Sequence, residues 1–364
     1  MNRREFLRTT GGGIVAGTLA GCGGPRAGGW GRRGGQRLSV GQLRAWEAWV
    51  YGMFIHFQMG TFVRAPGEWP VGDSPASTYA PDKLDVDQWV SVARDAGMRY
   101  AVLTTKHTAG FCLWPSVHTD YTVAHSGNAT DVVAKFVDAC DKRGVKPGLY
   151  YCSSDGHHQF GSQIRPETSR GFVPTFPSPY DDELPPYTTS LYQNFMTAQI
   201  TELLENYGPI AEMWIDIPGE LGRGYRTFLY HYIAGLQPDT VIMMNSGTPE
   251  SENYNVAYAW PSDLIAIERG GMGPPGVHSS RHRKWRTIEG KEFYVPGEIC
   301  DPIGAYWFDV AEDHPRPDAE LLAQYENAHQ IGVNLLLNVP PNKHGYIRDE
   351  YVKALNRLCK SAQI

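Results

Sequence analysis

The chain has 364 residues, 41% of them hydrophobic and 12% aromatic, which is enough for one large α/β core. Its 33 basic and 39 acidic residues leave a formal charge of −6, with no basic block after the leader, and this argues against a nucleic-acid partner, which needs clustered Lys and Arg. Cys112, Cys140, Cys152, Cys300 and Cys359 lie at wide, irregular spacing, so neither a disulfide framework nor a CxxC zinc pair is expected, only buried free thiols.

Residues 1–22 read as an export signal. Arg3-Arg4 with Phe6-Leu7 form a twin-arginine pattern, and the weakly apolar run at 13–21 is too short and glycine-rich for a membrane span. Leu19-Ala20-Gly21-Cys22 resembles a bacterial lipobox, which makes Cys22 the expected lipidated first residue of a periplasmic or otherwise extracytoplasmic protein. Residues 23–38 read as a Gly/Arg-rich tether, and residues 39–364 as the catalytic domain.

Residues 40–49 carry Leu43, Trp46 and Trp49 on one helical face, and 51–57 read as a first buried strand with His56 near its end. The loop at 60–81 is rich in Gly, Pro and Ser and carries Trp69, a candidate pocket wall. Val86, Trp89, Val90 and Ala93 recur at helical spacing; the apolar strand at 100–105 then delivers Lys106-His107 at its exit. A helix over 131–143 stops at Gly144, and the strand at 145–152 runs out into Ser153-Ser154-Asp155-Gly156-His157-His158. The adjacent His157 and His158 lack metal-ligand spacing on a helix. Residues 160–187 are a Pro-, Ser- and aromatic-rich insertion of the kind that walls a substrate.

A helix over 190–207 leads into a buried strand read over 208–216, which ends on Asp216 just before Pro218-Gly219. A helix at 225–236 and a short strand at 240–245 follow, and the strand at 264–268 again ends on a carboxylate, Glu268. Phe293-Tyr294-Val295 precedes Pro296-Gly297-Glu298; the helix at 318–332, strand at 334–339 and helix at 349–361 close the chain.

Strand and helix alternate from residue 40 onward at βαβ intervals. The expected fold is therefore a (β/α)8-like (TIM-type) barrel, imperfect in places, rather than an open doubly wound sheet, since no GxGxxG follows the first strand. Barrel closure brings His56, Lys106-His107, Asp155, Asp216, Asn245, Glu268, Glu298 and Asn338 toward one rim. Separate carboxylates among aromatics suit glycoside hydrolysis, in which one attacks the anomeric carbon and the other protonates the leaving oxygen. The rival chemistry, metal-assisted hydrolysis through His56, His107 and Asp216, needs convergent ligands that nothing local fixes.

Met53-Phe54-Ile55-His56-Phe57, Thr105-Lys106-His107 with Gly110-Phe111-Cys112-Leu113-Trp114-Pro115-Ser116, Gly148-Leu149-Tyr150, Trp214-Ile215-Asp216 and Asn334-Leu335-Leu336-Leu337-Asn338-Val339-Pro340-Pro341 resemble glycoside hydrolase family 29, the α-L-fucosidases. Tyr294-Val295-Pro296-Gly297-Glu298 with Trp307-Phe308 is similar to the subgroup selective for α-1,3/1,4-linked fucose. The resemblance implies a retaining mechanism without metal or other cofactor, acting on a fucosylated oligosaccharide or glycoconjugate. It implies Asp216 as nucleophile, Glu268 as acid/base with Glu298 as fallback, and His56, His107, Tyr150, Trp307 and Glu298 as sugar-binding positions. The family's His-His-Asp-Gly-Phe reads here His107-Thr108-Ala109-Gly110-Phe111, Gln58 replaces a Gly, and Ile217 replaces the Gly after the nucleophile. Those departures leave two alternatives: a relative acting on another glycoside, such as a galactoside, or a fucose-binding barrel with impaired catalysis. The C-terminal β-sandwich of many family members is expected to be absent.

Overall fold

Strands of a parallel sheet are buried on both faces and need apolar runs, which this chain supplies at intervals. The computed structural model describes residues 33–63, 72–158, 188–245, 256–268 and 282–364. Its strands are β1 (Tyr51–Ile55), β2 (Tyr100–Lys106), β3 (Lys146–Cys152), β4 (Glu212–Asp216), β5 (Val241–Met244), β6 (Ile265–Glu268), β7 (Trp285–Ile288), β8 (Lys291–Tyr294), β9 (Gly297–Pro302) and β10 (Asn334–Asn338). The helices are α1 (Val40–Glu47), α2 (Val86–Asp95), α3 (Val132–Arg143), α4 (Ser190–Glu205), α5 (Arg223–Leu236), α6 (Val256–Ala259), α7 (Asp318–Ile331) and α8 (Asp349–Ala362).

Eight strands form one parallel sheet in the order β5-β4-β3-β2-β1-β10-β9-β6, the expected (β/α)8-like barrel. The imperfection is the seam between β5 and β6, where side chains take over from a backbone ladder. Asp263 Oδ2 accepts from the Ile242 N–H at 2.8 Å, and Ser262 Oγ accepts from the Met244 N–H at 3.0 Å. Arg37 and the Tyr230 hydroxyl hold the Asp263 carboxyl from the other side.

Helix ends follow local chemistry. Asp85 and Asp131 cap α2 and α3 through the N–H groups of Gln88 and Ala134, and Gly144 and Gly332 end α3 and α7 in left-handed conformation. α1 is opened by a Ser39–Gln42 capping box and buries Leu43 and Trp46. Phe293 and Tyr294 belong to the antiparallel hairpin β7–β8, turned through Glu289 and Gly290 at positive φ, and the barrel strand that follows is β9. Asp301 is tolerated in that buried strand because Arg316 clamps its carboxyl with bonds of 2.8 and 3.0 Å.

Alternation along each strand divides the core in two. Outward residues pack against the helices, whereas Phe54, Tyr100, Val102, Tyr150, Trp214, Met243, Ala266, Cys300 and Leu336 fill the barrel, floored by Leu43 and Trp46. Gly52 is required there: a Cβ would lie 2.5 Å from the Tyr100 ring. The four cysteines Cys112, Cys140, Cys152 and Cys300 are buried and free, and Cys359 is free.

Candidate active site

The inward series continues upward to His56, Cys152, Asp216, Asn245, Glu268 and Asn338 at the C-terminal strand ends, where barrel chemistry is built. β2 obeys a different count. Its pairing with β3 slips between Thr104 and Lys106, so that Lys106 pairs with the outward Tyr151. This bulge turns Lys106 away from the mouth and His107 into it. His107 stacks on Tyr150 with centroids 5.6 Å apart and planes 10° apart, and its Nδ1 lies 3.1 Å from the Thr108 hydroxyl.

Lys106 instead meets Asp155 at 2.9 Å, both fully buried. Burial opposes the Asp155 charge, but Lys106 and His158 outweigh it and hold that carboxyl at about 2. His158 bonds Asp155 at 2.9 Å and His157 stacks on Tyr121, so the histidine pair braces the rim. Among the described residues no group of three His, Cys, Asp or Glu is arranged to hold a metal ion.

Asp216 collects three donors. The Tyr150 hydroxyl reaches Oδ2 at 2.6 Å, while the Asn245 amide and the Ile217 N–H reach Oδ1 at 2.7 and 2.9 Å. The third requires Ile217 to adopt φ 52°, left-handed backbone that costs a β-branched residue roughly 1–2 kcal/mol. This is the position where the resemblance leads one to expect glycine. Burial raises the Asp216 carboxyl above the usual range, against the pull of these donors.

Glu268 faces Asp216 across Asn245, whose amide nitrogen also lies 3.0 Å from Glu268 Oε2. Burial first, and then the Asp216 charge, push Glu268 up to about 7. His56 bonds Asn338 Oδ1 at 2.8 Å and sits 5.0 Å from the Trp307 ring, and Asn338 also holds the Trp307 carbonyl at 2.7 Å. His56, His107, Tyr150 and Trp307 thus line one aromatic mouth beside the two carboxylates.

Glu298 is not part of it. It pairs with Ala266, two residues before Glu268, and its buried carboxyl accepts from the Tyr100 hydroxyl at 2.6 Å and the Trp214 indole at 3.0 Å. It faces Glu212, which in turn accepts from the Trp46 indole at 3.0 Å. The structure places Glu298, expected as fallback proton donor or sugar ligand, at the start of β9 and at the barrel floor, not beside Asp216. Asn245, Asn338 and Glu212 received no role in the sequence; in-phase counting back from Asp216 would have found Glu212 as an inward residue. Cys22, Trp69 and the insertion at 160–187 lie outside the described residues.

A parallel barrel with two carboxylates in an aromatic mouth has the arrangement of the glycoside-hydrolysing barrels. The family model described as Alpha-L-fucosidase matches residues 73–363, and the chain belongs to this family. It is 31% identical over 331 residues to Alpha-L-fucosidase 1 of Arabidopsis thaliana, covering 88% of this chain and 59% of that protein. It is 36% identical over 277 residues to Tissue alpha-L-fucosidase of Homo sapiens, covering 72% of this chain and 49% of that one. The chain therefore spans between about half and three fifths of these relatives' length. Alpha-L-fucosidase isoenzyme 1 from Paenibacillus thiaminolyticus superposes with a TM-score of 0.68 at 26% identity, over 88% of this chain and 75% of that one. The alpha-L-fucosidase from Lactobacillus casei in complex with alpha-L-fucose product shares the fold, with a TM-score of 0.68 at 22% identity over 88% of this chain and 98% of that one.

Proposed function

We propose that the chain is an α-L-fucosidase that releases terminal α-linked fucose from glycans by a two-step retaining mechanism, with Asp216 as nucleophile and Glu268 as acid/base. The reading rests on the unequal supply of donors to two neighbouring acids. Asp216 has three, Glu268 shares one of them, and Glu268 is pushed up to about 7. Two close carboxyls held in different proton states are what an attacking anion and a proton donor need. Oδ1 carries two N–H donors and is suited to become the ester carbonyl; Oδ2, held among the described residues by the Tyr150 hydroxyl, is suited to attack.

Spacing supports retention. One nitrogen lies 2.7 Å from Asp216 Oδ1 and 3.0 Å from Glu268 Oε2, so these oxygens are less than about 6 Å apart, short of the roughly 6.5–9.5 Å that lets an inverting enzyme seat a water. His56, His107 and Trp307 supply ring and hydrogen-bonding surface for a sugar. The preference for α-1,3/1,4 linkages, export by the twin-arginine route and a lipid on Cys22 belong to the same proposal, carried by the sequence motifs.

Asp216→Ala tests it. Turnover should vanish, and azide should restore it with β-fucosyl azide as product; activity like the parent's removes Asp216 from the mechanism. Glu268→Ala should fail on sugar leaving groups and still cleave an activated aryl fucoside. Thr108 favours a second reading, a fucose-binding barrel with impaired turnover, because its hydroxyl engages His107 where the family's usual His would reach the sugar. Fucose binding without product release would select that reading.

A further inference from the structure

Asn245 stands at the end of β5 between the two acids. Its amide nitrogen donates to Asp216 Oδ1 at 2.7 Å and to Glu268 Oε2 at 3.0 Å. Its own N–H bonds the Ile215 carbonyl at 2.9 Å, which ties its backbone to β4 beside Asp216. Carboxylate oxygens accept, so the amide's nitrogen end faces them, and its two hydrogens serve one acid each. Among the described residues no other side chain bonds both.

We infer that Asn245 is a positioning residue that couples the proton states of the two acids by following the negative charge from one to the other. The inference rests on the nucleophile and acid/base roles proposed above. In the first step an Asp216 oxygen bonds to C1, the bond from C1 to the leaving oxygen breaks with its electron pair, and Glu268 passes its proton to that oxygen. Asp216 is then a neutral ester and Glu268 an anion. The charge has crossed from one hydrogen of the Asn245 amide to the other. The bond to Glu268 becomes the charge-assisted one, and the bond to Oδ1, now an ester carbonyl, weakens. In the second step water adds to C1, its proton goes to Glu268, and the C1–Asp216 bond breaks, returning the charge to Asp216. A neutral two-hydrogen donor serves both halves of the cycle; a fixed cation at either acid would favour one half at the expense of the other.

Asn245→Asp and Asn245→Ala in the full chain test this, read by the pH dependence of kcat/KM on an aryl fucoside. Asn245→Ala takes a donor from both acids. It should lower kcat/KM at neutral pH by about 100-fold, the scale seen when one preorganised donor is removed. Both limbs should move to higher pH, by about one pH unit, because each charged form has lost a stabilising bond. Asn245→Asp keeps the shape, but the new carboxyl can donate only while protonated, so its activity should be confined to lower pH. A merely structural role predicts a constant loss with both limbs in place for Asn245→Ala, which adds no charge beside the two acids, and that result overturns the inference. Asp216→Ala separates the two levels. If it retains turnover, the assigned roles fall; if it is inactive and rescued by azide while the Asn245 variants show unshifted limbs, only the coupling falls.

Discussion

Glu212→Gln isolates the acid pair at the barrel floor. Glu212 and Glu298 are both fully buried and face each other, and their donors are the Trp46, Tyr100 and Trp214 side chains. Burial first, and then Glu298, raise Glu212 well above the usual range; burial raises Glu298 to about 7. In the unfolded chain both ionise near a pH of about 4.3. The folded form therefore keeps protons that the unfolded chain has released. Because the folded values are raised, the stabilisation is complete below that pH and is lost as the pH rises. Each retained proton makes stability fall by about 1.4 kcal/mol per pH unit. Gln at 212 keeps the shape: its carbonyl accepts from Trp46, its amide donates to Glu298, and it carries no titrating proton. The stability of Glu212→Gln relative to the parent should accordingly grow by about 1.4 kcal/mol per pH unit as the pH rises above about 5. Urea midpoints read at constant m across that range measure it. Parallel curves would mean that Glu212 titrates like an exposed carboxyl, and the reasoning about the floor pair would be refuted.

Glu268 must be protonated to donate, so kcat/KM on a glycoside with a sugar leaving group should fall as pH rises past about 7; an alkaline limb that Glu268→Gln leaves unaltered would contradict this. Tyr150→Phe removes the 2.6 Å donor from Asp216. It should lower kcat/KM by roughly 10- to 100-fold, the worth of a hydrogen bond to a charged group, and move the acid limb to higher pH, as a pH–rate profile would register. Lys106→Met removes the cation from the fully buried Asp155 carboxylate and leaves it, among the described residues, only the His157 and His158 donors; thermal or urea unfolding should show a loss of about 3 kcal/mol, the lower end for breaking a buried pair.

The alternation of apolar strand and amphipathic helix was legible because each signal is local. Asp85, Asp131, Gly144 and Gly332 punctuate helices through their own neighbours' N–H groups and φ angles. His56, Asp216 and Glu268 were legible because a polar residue ending an apolar strand stands out. Three features depended on partners far away in sequence. The β5–β6 seam is closed by Ser262 and Asp263, which lie outside any strand. The direction of His107 depends on a slip in pairing against β3. Glu298 was placed on the rim, but it is a strand entrance, and Asp301 is made tolerable inside β9 by Arg316 and Gln324. That difference moves a carboxyl from the rim to the floor.

The barrel thus holds two pairs of buried acids on shared strands, and burial does not tell them apart. Glu212 and Asp216 lie on the same face of β4, and both pairs are raised by desolvation. The donors make the difference. At the floor Glu298 has two aromatic donors, the Tyr100 hydroxyl and the Trp214 indole, and Glu212 has one, the Trp46 indole, so the proton that the pair shares is favoured on Glu212. At the rim the Tyr150 hydroxyl and the Ile217 N–H serve Asp216 alone, which favours charge there and a proton on Glu268. The two levels are joined through Trp214: its indole N–H holds Glu298, and its ring stacks 5.5 Å from Tyr150, whose hydroxyl holds Asp216. The floor pair fixes the Trp214 indole, the indole backs the Tyr150 ring, and the ring aims the hydroxyl. In this barrel the orientation of the proposed nucleophile is therefore set partly from beneath it, by a buried acid at the floor.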